Sequence, residues 1–213
     1  MELIASNELI NSIEVFFAVF NFGVTHESSL FEPYQKPIVV SQDIKFPVPP
    51  YLPNNAIIQR DLWKVYNNIA LLDQQLGKML QQLEEDGLLE KTIIFFYSDH
   101  GGPLPRQKRM LYDAGLKVPM IIRFPNKHKA GTIDDRLISF VDFAPTILEL
   151  TGQTIPKYLQ GFSFKGNDEN GRKYIHAAAD RFDGVTDVIR AVRDGRFKYL
   201  RNYRPEQGYY LPV

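Results

Sequence analysis

The chain has 213 residues, 44% of them hydrophobic and 23% charged, enough for one substantial core or a core with a small appendage. Its 25 basic and 25 acidic residues cancel and no basic block stands out, which leaves a nucleic-acid or anionic-membrane partner without support. Cysteine is absent, so disulfides, thiolate metal sites and cysteine nucleophiles are excluded within these residues. No apolar run reaches the ~18 residues of a membrane helix. The opening MELIASNELINSIEVFF has early acids and no basic stretch, so it does not read as a signal peptide, and the compartment stays open.

In chain order, residues 6–13 read as a helical tail. VFFAVFNFG, 15–23, is apolar at nearly every position and predicts a strand covered on both faces, running into His26. Residues 27–55 hold six prolines, which forbid long regular elements; a stretch of that length wraps a site or a surface. Asn54 and Asn55 cap a helix in which Leu62, Tyr66, Ile69, Leu72, Leu76, Met79 and Leu83 form the packing face, and Gly87 stops it. Arg60, Lys64, Asn67, Gln74, Lys78 and Gln81 lie on the opposite face. KTIIFFYSDHGG (91–102) predicts a strand and its exit, and VPMIIRFP (118–125) another strand. Residues 137–142 read as a short strand, followed by a helix capped by Asp142 and ended by Gly152. YIHAAAD (174–180), VIRAVR (188–193) and RFKYL (196–200) predict three further strands, with Asp194-Gly195 as a hairpin turn. The order implies an α/β core with a small C-terminal antiparallel β element.

The chemistry concentrates around Asp99 and His100. Neighbouring side chains on a strand point to opposite faces, so these two converge only if the backbone turns, which Gly101-Gly102 would permit. A carboxylate beside an imidazole suits a divalent cation, and both lie past the carboxyl end of a strand, where open α/β sheets place ligands. If the strand before His26 is a parallel neighbour, His26 faces the same crevice. Arg106, Lys108 and Arg109 follow without an acid until Asp113, a loop suited to a divalent oxyanion. One such cation contributes about 4 kcal/mol of attraction at ~4 Å and an effective dielectric near 20, before desolvation. Singly, these features also read as a turn, a loop histidine and a solvated basic loop. His128 and His176 are left as surface and packing residues.

Taken together, KTIIFFYSDHGG, KRMLYDAGLKVPMIIRFP (108–125) and SFVDFAPTILELTG (139–152) resemble the C-terminal half of the sulfatase catalytic domain, in the alkaline phosphatase superfamily. FFAVFNFGVTHE resembles the sulfatase strand that delivers a histidine, and AAADRFDG with VIRAVRDGRFKYLRNY resembles the C-terminal segment of bacterial-type sulfatases. The resemblance implies a partial alkaline-phosphatase-like core sheet flanked by helices. Residues 1–160 would belong to the catalytic domain and 161–213 would form a β-rich segment packed on it. It also implies that Asp99 and His100 are calcium ligands and that Lys108, with Arg106 nearby, binds the sulfate group. His26 would contact sulfate and assist the leaving group. Arg181, beside Asp180 and Asp183, would meet an acidic sugar, against the plainer reading of a strand-end salt bridge.

The implied reaction is hydrolysis of a sulfuric ester or sulfamate on a small molecule or glycan. In sulfatases the nucleophile is a formylglycine made from Cys or Ser in a C/S-x-P-S-R segment, and no such segment occurs here. The expectation is therefore a truncated chain, catalytically incomplete alone, with weak calcium binding and exposed sheet edges open to pairing. Two other readings remain. One is a phosphonate or phosphodiester hydrolase of the same superfamily. The other is a non-catalytic remnant that binds anionic glycans or a partner, whose glycan affinity would survive loss of Lys108 and His26.

Overall fold

The computed structural model describes residues 16–166, 171–182 and 184–207. The chain divides into two compact units, residues 1–79 and 80–213. The helical tail expected at 6–13 lies outside the described residues.

In the first unit, residues 16–22 form no strand. A strand exists only through a hydrogen-bonded neighbour, and among the described residues this run has none. Phe16, Phe17, Val19 and Phe20 are accordingly exposed. The proline-rich stretch that follows is irregular as expected, apart from a 3-10 turn at Glu27–Leu30. It is held by helix α1, Ala56–Glu85. Asn55 starts this helix by accepting the Ile58 N–H at 3.0 Å. Gly87 ends it with φ +67°, the Gly87 and Leu88 N–H groups returning to the Glu84 and Leu83 carbonyls.

The predicted packing face holds at Leu62, which is buried, and at Leu72, Leu76, Met79 and Leu83, which are half-buried, but the helix also buries two residues that its periodicity leaves to solvent. Lys64 is 2% exposed and Asn67 0%, whereas Tyr66 and Ile69 remain exposed. The covering stretch has no ladder of its own, so its backbone polar groups need side-chain partners. Asn67 accepts the Val39 and Val40 N–H groups at 2.8 and 3.0 Å and donates to the Pro37 carbonyl and the Tyr34 hydroxyl. Lys64 donates to the Leu30 carbonyl at 2.8 Å and to Glu32 at 2.6 Å. Trp63 donates to the Val40 carbonyl, and Tyr34 meets its ring edge-on at 5.4 Å. Asn67→Ala is expected to destabilise this unit by about 1–3 kcal/mol, because buried donors lose their acceptor. Proteolysis of the 34–40 stretch, faster in the variant, checks this.

In the second unit, β1 (Ile94–Tyr97) pairs antiparallel with β2 (Met120–Arg123), Phe95 opposite Ile122. The four-residue helix α2, Asp113–Leu116, lies between them in sequence. Helix α3, Phe143–Leu150, brings Phe143 edge-on to Tyr97 at 4.9 Å, and Phe140 and Phe164 complete an aromatic cluster. Gly152 closes α3 with φ +72°.

The short strand expected at 137–142 reduces to one bridge, Leu137 to Arg172, and residues 140–142 form a 3-10 turn. Asp142 does not cap α3 with its side chain. Its carboxylate, 3% exposed, instead accepts the Ser139 and Phe162 N–H groups at 2.8 and 2.9 Å and both Nε and Nη2 of Arg172. That network fastens Phe162 and Arg172 to the start of α3. Beyond it, β3 (Ile175–Phe182), β4 (Val185–Arg193) and β5 (Lys198–Asn202) form an antiparallel sheet, with a register shift between Ala179 and Arg181. The predicted hairpin turn is present, the Asp194 carboxylate accepting the Arg196 and Phe197 N–H groups. His176, expected to pack, is exposed on β3. Among the described residues no helix is long and apolar enough to cross a membrane.

Candidate active site

β1 delivers Asp99 and His100 into a loop that closes on itself. Ser98 N–H still reaches across to the Pro119 carbonyl, extending the β1–β2 pairing by one step. Gly101 N–H then bonds the Gly115 carbonyl at 2.9 Å, and Lys108 N–H bonds the Gly102 carbonyl at 2.9 Å. Asp99, His100 and Lys108 therefore share one hydrogen-bonded frame.

The two glycines serve a different purpose from the one the sequence implies. Neither has a left-handed φ. A Cβ on Gly101 would sit 2.0 Å from the Ala114 carbonyl oxygen, and one on Gly115 would sit 2.1 Å from the Met110 carbonyl oxygen. Close approach of backbone to backbone is what needs glycine at 101 and 115, whereas a Cβ on Gly102 would meet the Gln107 side-chain oxygen at 2.3 Å. Gly101→Ala is expected to cost about 1–3 kcal/mol through overpacking and to displace the loop. A lowered thermal midpoint, with changed chemical shifts at Lys108, checks it.

Asp99 is 83% exposed at its side chain, and its Oδ2 lies 3.7 Å from His100 Nε2. His100 Nδ1 is 2.8 Å from the Gly101 carbonyl oxygen. A carbonyl oxygen only accepts, so Nδ1 carries the proton and Nε2 of the neutral ring presents its lone pair beside the carboxylate. This is how metal-binding histidines are held. The pair fits as two donors to a divalent cation, although among the described residues no group of three or more His, Cys, Asp or Glu is placed to hold one.

Lys108 is half-buried. Arg106 and Arg109 flank it with φ of +66° and +73°, a conformation strained for residues with a Cβ. The Arg106 guanidinium lies 4.6 Å from the Tyr112 ring centre. Asp113, next along, is reached by Arg193 and Lys198 from the C-terminal sheet at 3.2 and 3.0 Å. Burial pushes its carboxyl up, but the hydrogen bonds from Lys198 and Arg193 outweigh that and hold it below the usual range. No local pattern announces Asp113 as an anchor, because its partners lie 80 and 85 residues away.

His26 belongs to the first unit. It is exposed at the start of the 3-10 turn, where its Nδ1 accepts the Ser28 N–H at 3.3 Å. The same Nδ1 lies 2.8 Å from the Ser28 hydroxyl oxygen. The strand expected to deliver His26 is not formed. Arg181 is exposed on β3, just past the register shift. It lines a small open pocket with Arg109, Met110, Leu111, Ala179, Asp187 and Ile189. The strand-end salt bridge is made by its neighbour, Asp180 to Arg190 at 2.6 Å. Asp183 lies outside the described residues.

An acid–imidazole pair, an amine on the same loop and two arginines next to it in sequence are residue types suited to an oxyanion, and they sit on an α/β scaffold. Residues 6–153 match the sulfatase family, and residues 106–211 match the family described as N-sulphoglucosamine sulphohydrolase, C-terminal. The chain belongs to the sulfatase family. It is 56% identical to an ulvan-active sulfatase of Formosa agariphila over 95% of its own length and 40% of the relative's. It is 33% identical to human N-sulphoglucosamine sulphohydrolase over 52% of its length and 22% of that protein's. The chain thus spans less than half the length of these relatives. Its fold matches a protein solved with its substrate D-glucosamine-2-N,6-O-disulfate, with TM-score 0.60 and 27% identity, over 73% of this chain and 35% of that one. It also matches the phosphonate monoester hydrolase of Silicibacter pomeroyi, with TM-score 0.59 and 25% identity, over 72% and 35%. The fold is a partial alkaline-phosphatase-like α/β core with a C-terminal antiparallel element.

Proposed function

We propose that this chain carries part of the active site of a sulfuric ester hydrolase acting on a sulfated sugar. The observation that carries the reading is the closed loop after β1, in which the Lys108 backbone is bonded to Gly102 and Gly101 to Gly115, next to the Asp99–His100 pair.

Asp99 and His100 would hold a calcium ion, which when bound supplies Lewis-acid polarisation of a sulfate oxygen. Lys108 and Arg106 would bind the sulfate oxygens, where negative charge grows as the ester bond breaks. His26, as the imidazolium with Nδ1–H donating to the Ser28 hydroxyl, would give its Nε2 proton to the departing sugar oxygen and return to the neutral ring. Residues 1–160 would act as the catalytic part and 161–213 as the β-rich segment packed on it. The Asp113 and Asp142 networks support that packing. The 213 residues contain no cysteine and no Ser-x-Pro-Ser-Arg, so a formylglycine nucleophile would come from polypeptide beyond this sequence. The chain by itself is then expected to turn over no aryl sulfate and to bind calcium weakly.

The test is a chimera in which this chain replaces the matching segment of the 56% identical Formosa relative. Turnover of a sulfate ester supports the reading. A folded chimera that hydrolyses phosphonate monoesters in preference to sulfate esters would move the assignment to the runner-up chemistry, which the Silicibacter likeness keeps in view. Sulfatase turnover by the 213 residues alone would overturn the incompleteness.

A further inference from the structure

His26 stands at the end of a line of hydrogen bonds that begins on the buried side of α1. Asn67 Nδ2 donates to the Tyr34 hydroxyl, which in turn donates to Asn68 Oδ1, both at 2.7 Å. Asn68 Nδ2 donates to Ser29 Oγ at 2.7 Å, and that hydroxyl donates to the His26 carbonyl. The bonds run head to tail, so each polarises the next. Asn68 is 1% exposed, and burying an amide is costly unless its polar atoms are used. Here one of them serves Tyr34 and the other the His26 turn. Lys64 fastens the same turn one residue further on, through the Leu30 carbonyl at 2.8 Å. On the other side, the His26 N–H returns to the Gly23 carbonyl at 3.2 Å, and neighbouring Val24 is buried.

The exposed ring of His26 has a holder of its own. Nδ1 lies 2.8 Å from Ser28 Oγ and 3.3 Å from the Ser28 nitrogen. A hydroxyl both donates and accepts. Ser28 Oγ accepts from Nδ1–H in the charged ring and donates to Nδ1 wherever that atom carries a lone pair. The ring therefore keeps the same partner while the Nε2 proton leaves and returns.

We propose that Ser28 and Asn68 are positioning residues for His26, Ser28 fixing the imidazole through Nδ1 and Asn68 fixing its backbone through Ser29. The inference rests on the reading of His26 as the group that protonates the departing sugar oxygen, and it adds what aims that group. An imidazole on the surface is otherwise spread over several rotamers, whereas a proton donor must lie within hydrogen-bond reach of its acceptor. Misplacement by about 1 Å costs up to about 10²-fold in rate.

The experiment has two arms. In the 213-residue protein, the His26 side-chain couplings and ring nitrogen shifts are measured by NMR well below and well above pH ~6.5, the ordinary imidazole value. One rotamer is expected at both pH values, with averaging in Ser28→Ala and restoration in Ser28→Thr, which keeps the hydroxyl. Asn68→Ala, and the milder Ser29→Ala, should speed exchange of the Ser29 amide by about tenfold. In the chimera with the Formosa relative, turnover of a sugar sulfate is compared with that of nitrophenyl sulfate. A sugar oxygen leaves poorly without a proton, whereas nitrophenolate needs none. Ser28→Ala, Ser29→Ala and Asn68→Ala should each lower kcat on the sugar sulfate about tenfold more than on the aryl ester. A merely structural role would lower both alike. His26→Ala lowering both esters alike would overturn the donor reading and this inference with it. If His26→Ala discriminates, Ser28 or Asn68 is struck from its role when its own variant does not. An averaged His26 ring in the unaltered chain, or a fixed one in Ser28→Ala, would overturn the hold of Ser28 whatever the chimera does.

Discussion

Replacing Asp142 with alanine is expected to lower the unfolding free energy by about 3–5 kcal/mol, the cost of stranding a buried charge. Arg172, 16% exposed at its side chain, would keep its guanidinium in place without the carboxylate that neutralises it. The Ser139 and Phe162 N–H groups would lose their acceptor as well. Asp142→Asn keeps an oxygen for one of those donors, so it should cost less than alanine. Pairing Asp142→Asn with Arg172→Met removes the stranded cation and should recover part of the loss. Urea unfolding of the series at neutral pH measures this, and a loss under about 1 kcal/mol for the alanine variant would contradict a clamp of this kind.

The same clamp sets an acid limit. Burial raises the Asp142 carboxyl, but the Arg172 hydrogen bonds and the two backbone donors outweigh it, leaving it below the value of 3.8 for a free aspartate. A group depressed by folding stabilises above its unfolded value, and that stabilisation disappears as pH falls through the folded value. Asp113 shifts the same way, against its own burial, through Lys198 and Arg193. The protein should therefore lose stability steeply below about pH 4, near the ordinary carboxylate range. The Asp142→Asn variant should fall less steeply over that interval.

Lys108→Ala in the Formosa-based chimera is expected to reduce kcat by about 10²–10³-fold, the scale for removing one donor aimed at charge that develops in the transition state. A sulfate ester already bears negative charge when it binds, so KM should rise too, by a smaller factor. Lys108→Arg preserves the charge, but it places a broad planar group in a half-buried position made for a single amine. Partial rescue is the expected outcome. A change within about threefold for the alanine variant would remove Lys108 from the transition state, since that factor is less than 1 kcal/mol.

Much of the fold was legible wherever the signal is local. Asn55 and Gly87 bound α1 because capping and left-handed exit are one-residue decisions. The hairpin at Asp194-Gly195 was readable for the same reason. Misreadings arose where a distant partner decides. Lys64 and Asn67 follow a solvent-face pattern, yet an irregular stretch some thirty residues earlier draws them inside. The apolar run at 16–22 looks like a buried strand, but no described neighbour pairs with it. Asp142 sits where a helix cap belongs and serves a residue thirty positions later.

The site divides in the same way. Asp99, His100 and Lys108 stood out as chemistry-bearing types packed into ten residues. Gly115, Asp113 and the meeting of Arg109 with Arg181 required the folded backbone, since only that shows which carbonyl a Cβ would strike or which loop a strand approaches.

Asp113 joins the sheet through two cations on adjacent strands, Arg193 at the end of β4 and Lys198 at the start of β5. The terminal hairpin thus works as a splint for a segment encoded far upstream. Deleting it would leave Asp99, His100 and Lys108 present in sequence while freeing the stretch that holds the lysine, so loss of anion affinity should precede loss of the aromatic core.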